Sequence, residues 1–274
     1  MGVIPASQRR AQVAAVFDQV ADVYDNVGVP WFTPIAERLV GELRPRPGER
    51  ALDLGCGRGA ALFALADAVG PAGRATGIDL SARMVAATAA DAAARGLDRV
   101  EVAVMDAGAP ALPPGGFDLA VASFVVFFLP SPLAALRAWH RLLAPGGRLG
   151  LSTFDDHGAG WLDDVFGRFL PPSGFRAASP FDSDEGVERL VTSAGFERVH
   201  TETFALDVAF RDVDHWQEWS MSHGQRATWA RIAPERHPEV KAAVAGYLED
   251  FRTTDGTYRV DQSIRLTLAE RAAH

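Results

Sequence analysis

The sequence predicts an α/β protein with a doubly wound, mostly parallel sheet of seven strands. Apolar strand-like runs alternate with helical segments between residues 50 and 153, which is the rhythm of parallel sheets. The first strand enters a glycine turn, Gly55-Cys56-Gly57-Arg58-Gly59, that opens a helix, and the second strand ends at Asp79. Glycines let backbone amides approach a ligand, and an acid at Asp79 can bind ribose hydroxyls, so these features together predict a nucleotide cradle.

Composition limits the classes of function. A chain of 274 residues with 48% hydrophobic residues can bury one large core with elaborations. A net charge of −8 argues against a nucleic-acid surface. The single cysteine, Cys56, excludes an internal disulfide and cysteine-based zinc sites. Because no apolar run approaches about 18 residues and no signal core precedes the first helix, we expect a cytoplasmic protein without membrane contact.

Residues 1–44 are expected to form two helices. The first covers 7–24, with Val13 and Phe17 on one face, and the second runs from Thr33, as its N-cap, to about Leu43. Two interpretations stay open: a helical cover over the sheet edge, or a lid whose aromatic residues Phe17 and Tyr24 close on a ligand.

The α/β core is expected to occupy 45–274. Its predicted elements alternate in order: strand 50–54, helix to 69, strand 74–79, helix 81–95, strand 100–104, strand 117–123, a helix from 131, and strand 148–153. The fourth strand is nearly continuously apolar, as a strand buried on both faces should be.

The rhythm breaks after the fifth strand. Segment 155–182 is predicted to hold a short helix at 161–169, and segment 205–260 a helical region rich in tryptophan. Strands 197–204 and 264–268 complete the sheet. Insertions beside the ligand-binding edge of a sheet are natural substrate covers, so both insertions are expected to form one.

Five motifs in order resemble class I S-adenosylmethionine-dependent methyltransferases, in particular the small-molecule branch of ubiquinone biosynthesis. The motifs are Leu52 to Gly59, Gly77-Ile78-Asp79-Leu80-Ser81 with Met84, Met105-Asp106-Ala107, Phe117-Asp118-Leu119, and Leu143 to Leu149, and the upstream Phe17 and Tyr24-Asp25 also fit. The resemblance is strong over 45–154 and looser elsewhere. It implies a Rossmann-like fold, S-adenosyl-L-methionine as cofactor, and S-adenosyl-L-homocysteine as product.

A dinucleotide is the competing cofactor, because Gly55, Gly57 and Ala60 also satisfy its glycine pattern. Two residues favour the methyl donor. Asp53 lies inside the first strand, where a dinucleotide fold wants an apolar residue, and Asp106 offers an acceptor at the end of the third strand.

The resemblance assigns cofactor contacts to the residues Phe17, Tyr24, Asp53, Gly55, Cys56, Gly57, Asp79, Leu80, Met84, Asp106, Ala107, Ser123 and Phe124. Asp53 would serve the ammonium group and Asp79 the ribose hydroxyls. Asp106 would accept from the adenine amino group, while Leu80 and Met84 would sandwich the ring. Structural alternatives are a carboxylate satisfied by turn amides for Asp53, a helix N-cap for Asp79, and plain core for Met84.

The acceptor site is less clearly marked. On a helix, Trp216, Trp219 and His223 share one face, so His223 is the candidate general base, with Arg226 orienting an anionic acceptor. The alternative is a hydrogen-bonded histidine near a helix end. Further candidate substrate contacts are Phe128, His157, Trp161 and Trp219.

These residues predict O- or C-methylation of a small, largely apolar metabolite of the secondary-metabolite type. The alternative from another class is an accessory protein that binds the donor without transferring methyl. An N-methyltransferase or a nucleic-acid methyltransferase ranks lower. No metal is expected because no ligand spacing is recognisable, and a monomer or homodimer is expected.

Overall fold

The computed structural model describes residues 5–171 and 179–274. The helices are α1 (Ala6–Val20), α2 (Phe32–Leu43), α3 (Ala60–Val69), α4 (Ala82–Ala94), α5 (Pro132–Leu142), α6 (Asp156–Gly167), α7 (Asp184–Ser193), α8 (Val213–Met221), α9 (Arg226–Trp229) and α10 (His237–Leu248). The strands are β1 (Arg50–Leu54), β2 (Arg74–Asp79), β3 (Val100–Val104), β4 (Phe117–Ser123), β5 (Leu143–Phe154), β6 (Glu197–Phe210) and β7 (Tyr258–Glu270).

The seven strands form one sheet in the order β3-β2-β1-β4-β5-β7-β6. Strands β1 to β5 are parallel, and β7 runs antiparallel to both β5 and β6. The predicted mostly parallel, doubly wound sheet is therefore confirmed. The carboxyl ends of β1, β2 and β4 meet at one edge, so the glycine turn, Asp79 and Phe124 are brought together there.

Helices cover both faces of the sheet. One apolar cluster contains α2 and α3, including Ile35, Leu39 and Leu62. The other contains α5 and α7, including Trp139 and Val187. Because the sheet is buried on both faces, its strand ends are the part left available to a ligand.

The last two strands are longer than predicted. They pair from Glu197 opposite Glu270 to Phe210 opposite Tyr258. The predicted strand ended at residue 204, but the ladder continues beyond it and pairs Asp207 with Asp261. Residues 205–210 and 258–260 of the expected helical insertion are therefore strand, and its helices lie between them.

Two helix boundaries also differ. The first helix ends at Val20 rather than residue 24. The second begins at Phe32, and Thr33 is not its cap. Instead, the Asp25 carboxylate accepts from the Phe32 amide at 3.3 Å and from the Thr33 hydroxyl at 2.9 Å. Asp25, seven residues before Phe32 in the chain, thus supplies the capping acceptor that the sequence analysis assigned to Thr33.

The insertion after β5 begins as α6 at Asp156, five residues before the predicted start. Part of that insertion, 172–178, lies outside the described residues. Within the described ranges, no helix combines the length and apolar character that crossing a bilayer would need.

Candidate active site

A cavity lies beside the glycine turn, and we call it the donor cavity. Its lining includes Gly55, Gly57, Asp79, Leu80, Asp106, Ala107, Ser123 and Phe124 from the sheet edge, with Arg9, Arg10, Val13, Phe17 and Tyr24 from the N-terminal segment. Ten of the thirteen predicted cofactor residues thus line one cavity. Helix α1 covers it, which is the position expected of a lid.

The glycine turn is fixed to the neighbouring strand. The Gly55 and Cys56 amides both donate to the Ile78 carbonyl, at 2.8 and 2.9 Å. Gly55 has a φ of 82°, and a Cβ there would lie 2.5 Å from Val125 Cγ2. The turn therefore requires glycine both for its backbone conformation and for close approach.

Asp79 ties the turn to the start of α4. Its Oδ2 accepts from the Gly57 amide at 2.9 Å and its Oδ1 from the Ser81 amide at 2.8 Å. Burial raises the pKa of Asp79 and these amide bonds oppose the rise. The N-cap of α4 is Ser81, whose Oγ accepts from the Met84 amide. Asp79 is thus not the cap, and a carboxylate with two oxygens can still accept further hydroxyl donors.

Asp53 is a buried carboxyl group, 1% exposed, whose Oδ2 has no hydrogen-bond partner. Burial, with the Asp79 charge as second cause, raises the pKa of Asp53 to about 8. Asp53 lines a groove that shares Tyr24, Gly55, Gly57 and Ser123 with the donor cavity. An unpaired buried carboxyl oxygen suits a cationic ligand group, because a positive charge next to Asp53 would stabilise its ionised form.

Asp106 also lines the donor cavity. Its Oδ1 accepts from the Gly108 amide at 2.7 Å, and its Oδ2 lies 3.5 Å from Arg10 Nε of α1. Ala107 is held in place because its carbonyl accepts from the Trp139 indole at 2.7 Å. An ion pair between helix α1 and the sheet edge therefore crosses the cavity.

Three predicted cofactor residues do not line the donor cavity. Met84 is fully buried beneath α1 with Val20 and Ala21, so the plain-core alternative describes it. Cys56 is a buried free thiol that contacts the groove beside Asp53. Asp53 itself lines that groove and not the cavity.

A second cavity, the acceptor chamber, adjoins the donor cavity. Of the sixteen described residues that line it, nine are Phe, Tyr or Trp: Phe17, Tyr24, Trp31, Phe32, Phe124, Phe127, Phe128, Phe154 and Trp219. The remaining residues include His223, Gln225, Thr228, Gln262 and Asp163. The predicted substrate contacts Phe128 and Trp219 both lie here.

Four aromatic residues line both cavities: Phe17, Tyr24, Phe124 and Phe128. Phe17 and Phe128 meet edge to face at 5.6 Å, and Tyr24 stacks on Phe32 at 4.5 Å. Phe124 has a φ of 56°, a strained conformation for a bulky residue, directly after β4. Such strain at the end of a strand is typical of functional sites, and here it occurs on the wall between the two cavities.

His223 is 9% exposed and lines the acceptor chamber. Its Nδ1 accepts from the Gln225 amide at 3.4 Å, and its Nε2 has no partner. Burial lowers the pKa of His223 to about 4, so the ring is neutral near pH 7. Because Nδ1 is the acceptor, the neutral ring carries its proton on Nε2.

The other acceptor-site candidates lie elsewhere. Arg226 donates to Gln19 of α1 at 3.3 Å and does not line the chamber, because α9 turns it towards α1. The structure therefore places Arg226 away from the chamber, and its role in orienting the acceptor stays a prediction. Trp161 stacks on Tyr247 at 4.1 Å, outside the chamber. The side chain of His157 lies outside the described residues.

Sequence reasoning missed Trp31, Arg10 and Phe154. Trp31 contacts Phe124 at 4.7 Å and Trp219 at 6.0 Å between ring centroids, although it lies almost two hundred residues from Trp219 in the chain. The pair Trp31-Phe32 before a helix was a usable signal, because two adjacent large aromatics rarely belong to an exposed loop.

The residues present fit S-adenosylmethionine. The unpaired Asp53 oxygen suits its ammonium, the Asp79 carboxylate suits ribose hydroxyls, and Asp106 with Ala107 suits the adenine edge. No group of three His, Cys, Asp or Glu side chains among residues 5–171 and 179–274 is placed to hold a metal ion.

Comparisons with known proteins also point to a methyltransferase. A family model described as "Methyltransferase domain" matches residues 51–147. Nocamycin O-methyltransferase from Saccharothrix syringae is 36% identical over 83% of this chain and 87% of its own length. Aklanonic acid methyltransferase DauC from Streptomyces sp. strain C5 is 42% identical over 54% of this chain and 67% of its own.

Among solved structures, that of the [4+2]-cyclase SpnF is 25% identical, covers all of both chains and has a TM-score of 0.62. The described chain therefore shares its fold with this structure. Since the relative from Saccharothrix syringae spans most of both chains at well over 30% identity, the chain belongs to the class I S-adenosylmethionine-dependent methyltransferases.

Proposed function

We propose that the protein methylates an oxygen, or less favourably a carbon, of a small and largely apolar metabolite of secondary metabolism. The observation that carries the proposal is the aromatic wall that the donor cavity and the acceptor chamber share. A methyl group can pass between two ligands only where their binding sites meet, and here they meet at Phe17, Tyr24, Phe124 and Phe128.

The lining of the chamber supports an apolar, flat acceptor. Aromatic side chains offer large contact areas and stack on planar ring systems. Among residues 5–171 and 179–274, neither Lys nor Arg lines the chamber, so phosphate groups and nucleic acid are poor occupants. The names of two relatives, which specify nocamycin and aklanonic acid, support a natural-product acceptor of this kind.

When bound, S-adenosylmethionine supplies an electrophilic methyl group on a cationic sulfonium. The chain's own contribution is to bind and to exclude water. Asp53, Asp79 and Asp106 would hold the donor, while the shared aromatic wall would place the acceptor next to it. Holding two reactants together in a dry site can account for much of a displacement rate.

The test is methyl transfer from radiolabelled S-adenosylmethionine to a panel of polycyclic aromatic acids, phenols and enols, with product identity read by mass spectrometry. We expect at least one planar acceptor to be methylated on oxygen. A chamber variant, Trp219→Ala, should lower turnover strongly while S-adenosylhomocysteine binding changes by less than about twofold. Equal loss of both would contradict separate donor and acceptor sites.

A second candidate is an accessory or cyclising protein that binds the donor without transferring methyl. The cyclase SpnF favours considering it, because that structure covers the full length of both chains. The same assay separates the two: tight S-adenosylhomocysteine binding with no labelled product from any acceptor class would favour the accessory function.

The remaining expectations stand as part of this proposal. They are a cytoplasmic location, a monomer or homodimer, no metal requirement, and no nucleic-acid or membrane partner. A chelator that leaves turnover unchanged, and a single species on a calibrated sizing column, would support them.

A further inference from the structure

Two residues of the acceptor chamber each carry a buried ring nitrogen without a hydrogen-bond partner, Trp31 Nε1 and His223 Nε2. Both residues line the chamber, and they are 2% and 9% exposed. Their rings lie nearly parallel, at 6° and 6.4 Å between centroids. A buried polar group without a hydrogen bond destabilises the folded protein. Two such groups in residues that line one cavity therefore point to a ligand group that accepts a hydrogen bond from each.

Both nitrogens are hydrogen-bond donors. An indole nitrogen can only donate. The imidazole carries its proton on Nε2 because Nδ1 accepts from the Gln225 amide. Two N–H donors without a hydrogen-bond partner match a ligand oxygen that carries two free lone pairs. A charged oxygen forms hydrogen bonds to such donors that are about twice as strong as those of a neutral oxygen.

The same tautomer prevents His223 Nε2 from accepting a proton. Another basic group on the chamber wall is Asp163 of α6, and its side chain is exposed rather than buried with the aromatic residues. Within the described part of the chain, no Lys or Arg lines the chamber. The described chamber therefore offers hydrogen-bond donors to an anion, but it offers no buried base that could deprotonate a neutral acceptor.

We propose that the acceptor is an oxygen acid that enters already ionised, a carboxylate or an enolate, and that Trp31 Nε1 and His223 Nε2 bind its charged oxygen. This inference rests on the chamber being the acceptor site of the proposed function. A lone pair of the anionic oxygen forms the new O–CH₃ bond, the electron pair of the S–CH₃ bond returns to sulfur, and no proton has to leave. His223 is thereby an anion-binding residue and not the general base that its spacing predicted.

Binding of matched probes tests the inference without any methyl transfer. Fluorescence titration near pH 7 would compare anthracene-2-carboxylate with anthracene-2-carboxamide, and ionised 4-hydroxycoumarin with 4-methoxycoumarin, in the presence of S-adenosylhomocysteine. We expect at least one anion to bind about tenfold or more tightly than its neutral match. The carboxylate pair and the coumarin pair distinguish the two sources of the charged oxygen.

Variants assign the preference to the two nitrogens. Trp31→Phe and His223→Phe keep an aromatic ring and remove the N–H, so each should cost the preferred anion about tenfold and its neutral match much less. His223→Gln retains a side-chain donor and should recover part of the loss. Trp161→Phe is the matched control, since its indole nitrogen is also unpaired but lies outside the chamber.

Equal binding of anions and neutral matches by the parent protein would overturn the inference, and this arm needs no variant to fold. Unchanged anion binding in both ring variants would overturn it too, as would a methyl-transfer rate that collapses in Asp163→Asn, which would make Asp163 the base. If the anion preference holds but no acceptor is methylated, the proposed function fails while the anion site stands.

Discussion

Asp53 provides the sharpest prediction, because its buried carboxyl has an unpaired oxygen and a raised pKa of about 8. At about pH 7 such a group is about 90% protonated in the free protein. A ligand ammonium beside it favours the ionised form and lowers its pKa. Binding of S-adenosylhomocysteine should therefore release up to about one proton per molecule bound.

Isothermal titration calorimetry measures that proton directly. The binding enthalpy is determined at about pH 7 in three buffers of different ionisation enthalpy, and its slope gives the number of protons released. Asp53→Asn should abolish the release and weaken binding by about 1.5–3 kcal/mol, the usual range for a hydrogen bond to a charged group. Asp106→Asn, which alters another cavity carboxylate, should weaken binding but keep the release.

The free protein gives an independent readout. A carboxyl whose folded pKa is raised keeps its proton on folding, so stability is highest below the unfolded pKa of about 4 and falls as pH rises through about 8. Between about pH 5 and pH 7 the parent should lose up to about 1.4 kcal/mol per pH unit relative to Asp53→Asn in urea unfolding. Parallel pH profiles, or equal proton release by parent and variant, would refute the reasoning.

Two further predictions concern residues of the donor cavity, and a third concerns a buried ion pair. Asp79→Ala should weaken S-adenosylhomocysteine binding by about 1–3 kcal/mol in calorimetry, since the Gly57 amide loses its acceptor, and parent-like binding would remove the ribose assignment. Arg10→Gln should speed product binding and reduce its salt dependence in stopped flow, because the ion pair with Asp106 crosses the cavity, and unchanged kinetics would argue against a lid. Arg265→Met should lower the unfolding free energy by about 3–5 kcal/mol in urea, because this fully buried guanidinium pairs with Asp155 and Asp184.

The donor half of the site was predictable because its chemistry is local in sequence. The glycine turn, Asp79 and Asp106 each follow directly from the end of a strand, and parallel strands bring their carboxyl ends to one edge. Reading the order of strands and turns was therefore enough to place these residues around one cavity.

The acceptor half was not predictable in the same way. Trp31 follows α1, Phe154 ends β5, and Trp219 and His223 come from an insertion, so their proximity depends on packing between distant segments. Helical periodicity grouped Trp219 with His223, yet it could not show which nitrogen carries the proton. That depends on the Gln225 amide, a contact made by the chain just after α8 ends.

Arg226 shows the limit of spacing arguments. Three residues after His223 it would share a helix face with it, but α8 ends at Met221 and a new helix, α9, begins at Arg226. The break turns the guanidinium towards Gln19 of α1. A turn that the pattern of apolar residues did not mark thus places the side chain against α1 and not in the chamber.

A crystal structure with S-adenosylhomocysteine bound tests the central claim most directly. The account predicts the ligand ammonium against the Asp53 carboxylate, the ribose at Asp79, the adenine beside Asp106, and the sulfur facing the acceptor chamber across Phe124. A ligand bound within the aromatic chamber itself, or one whose sulfur points away from that chamber, would contradict it.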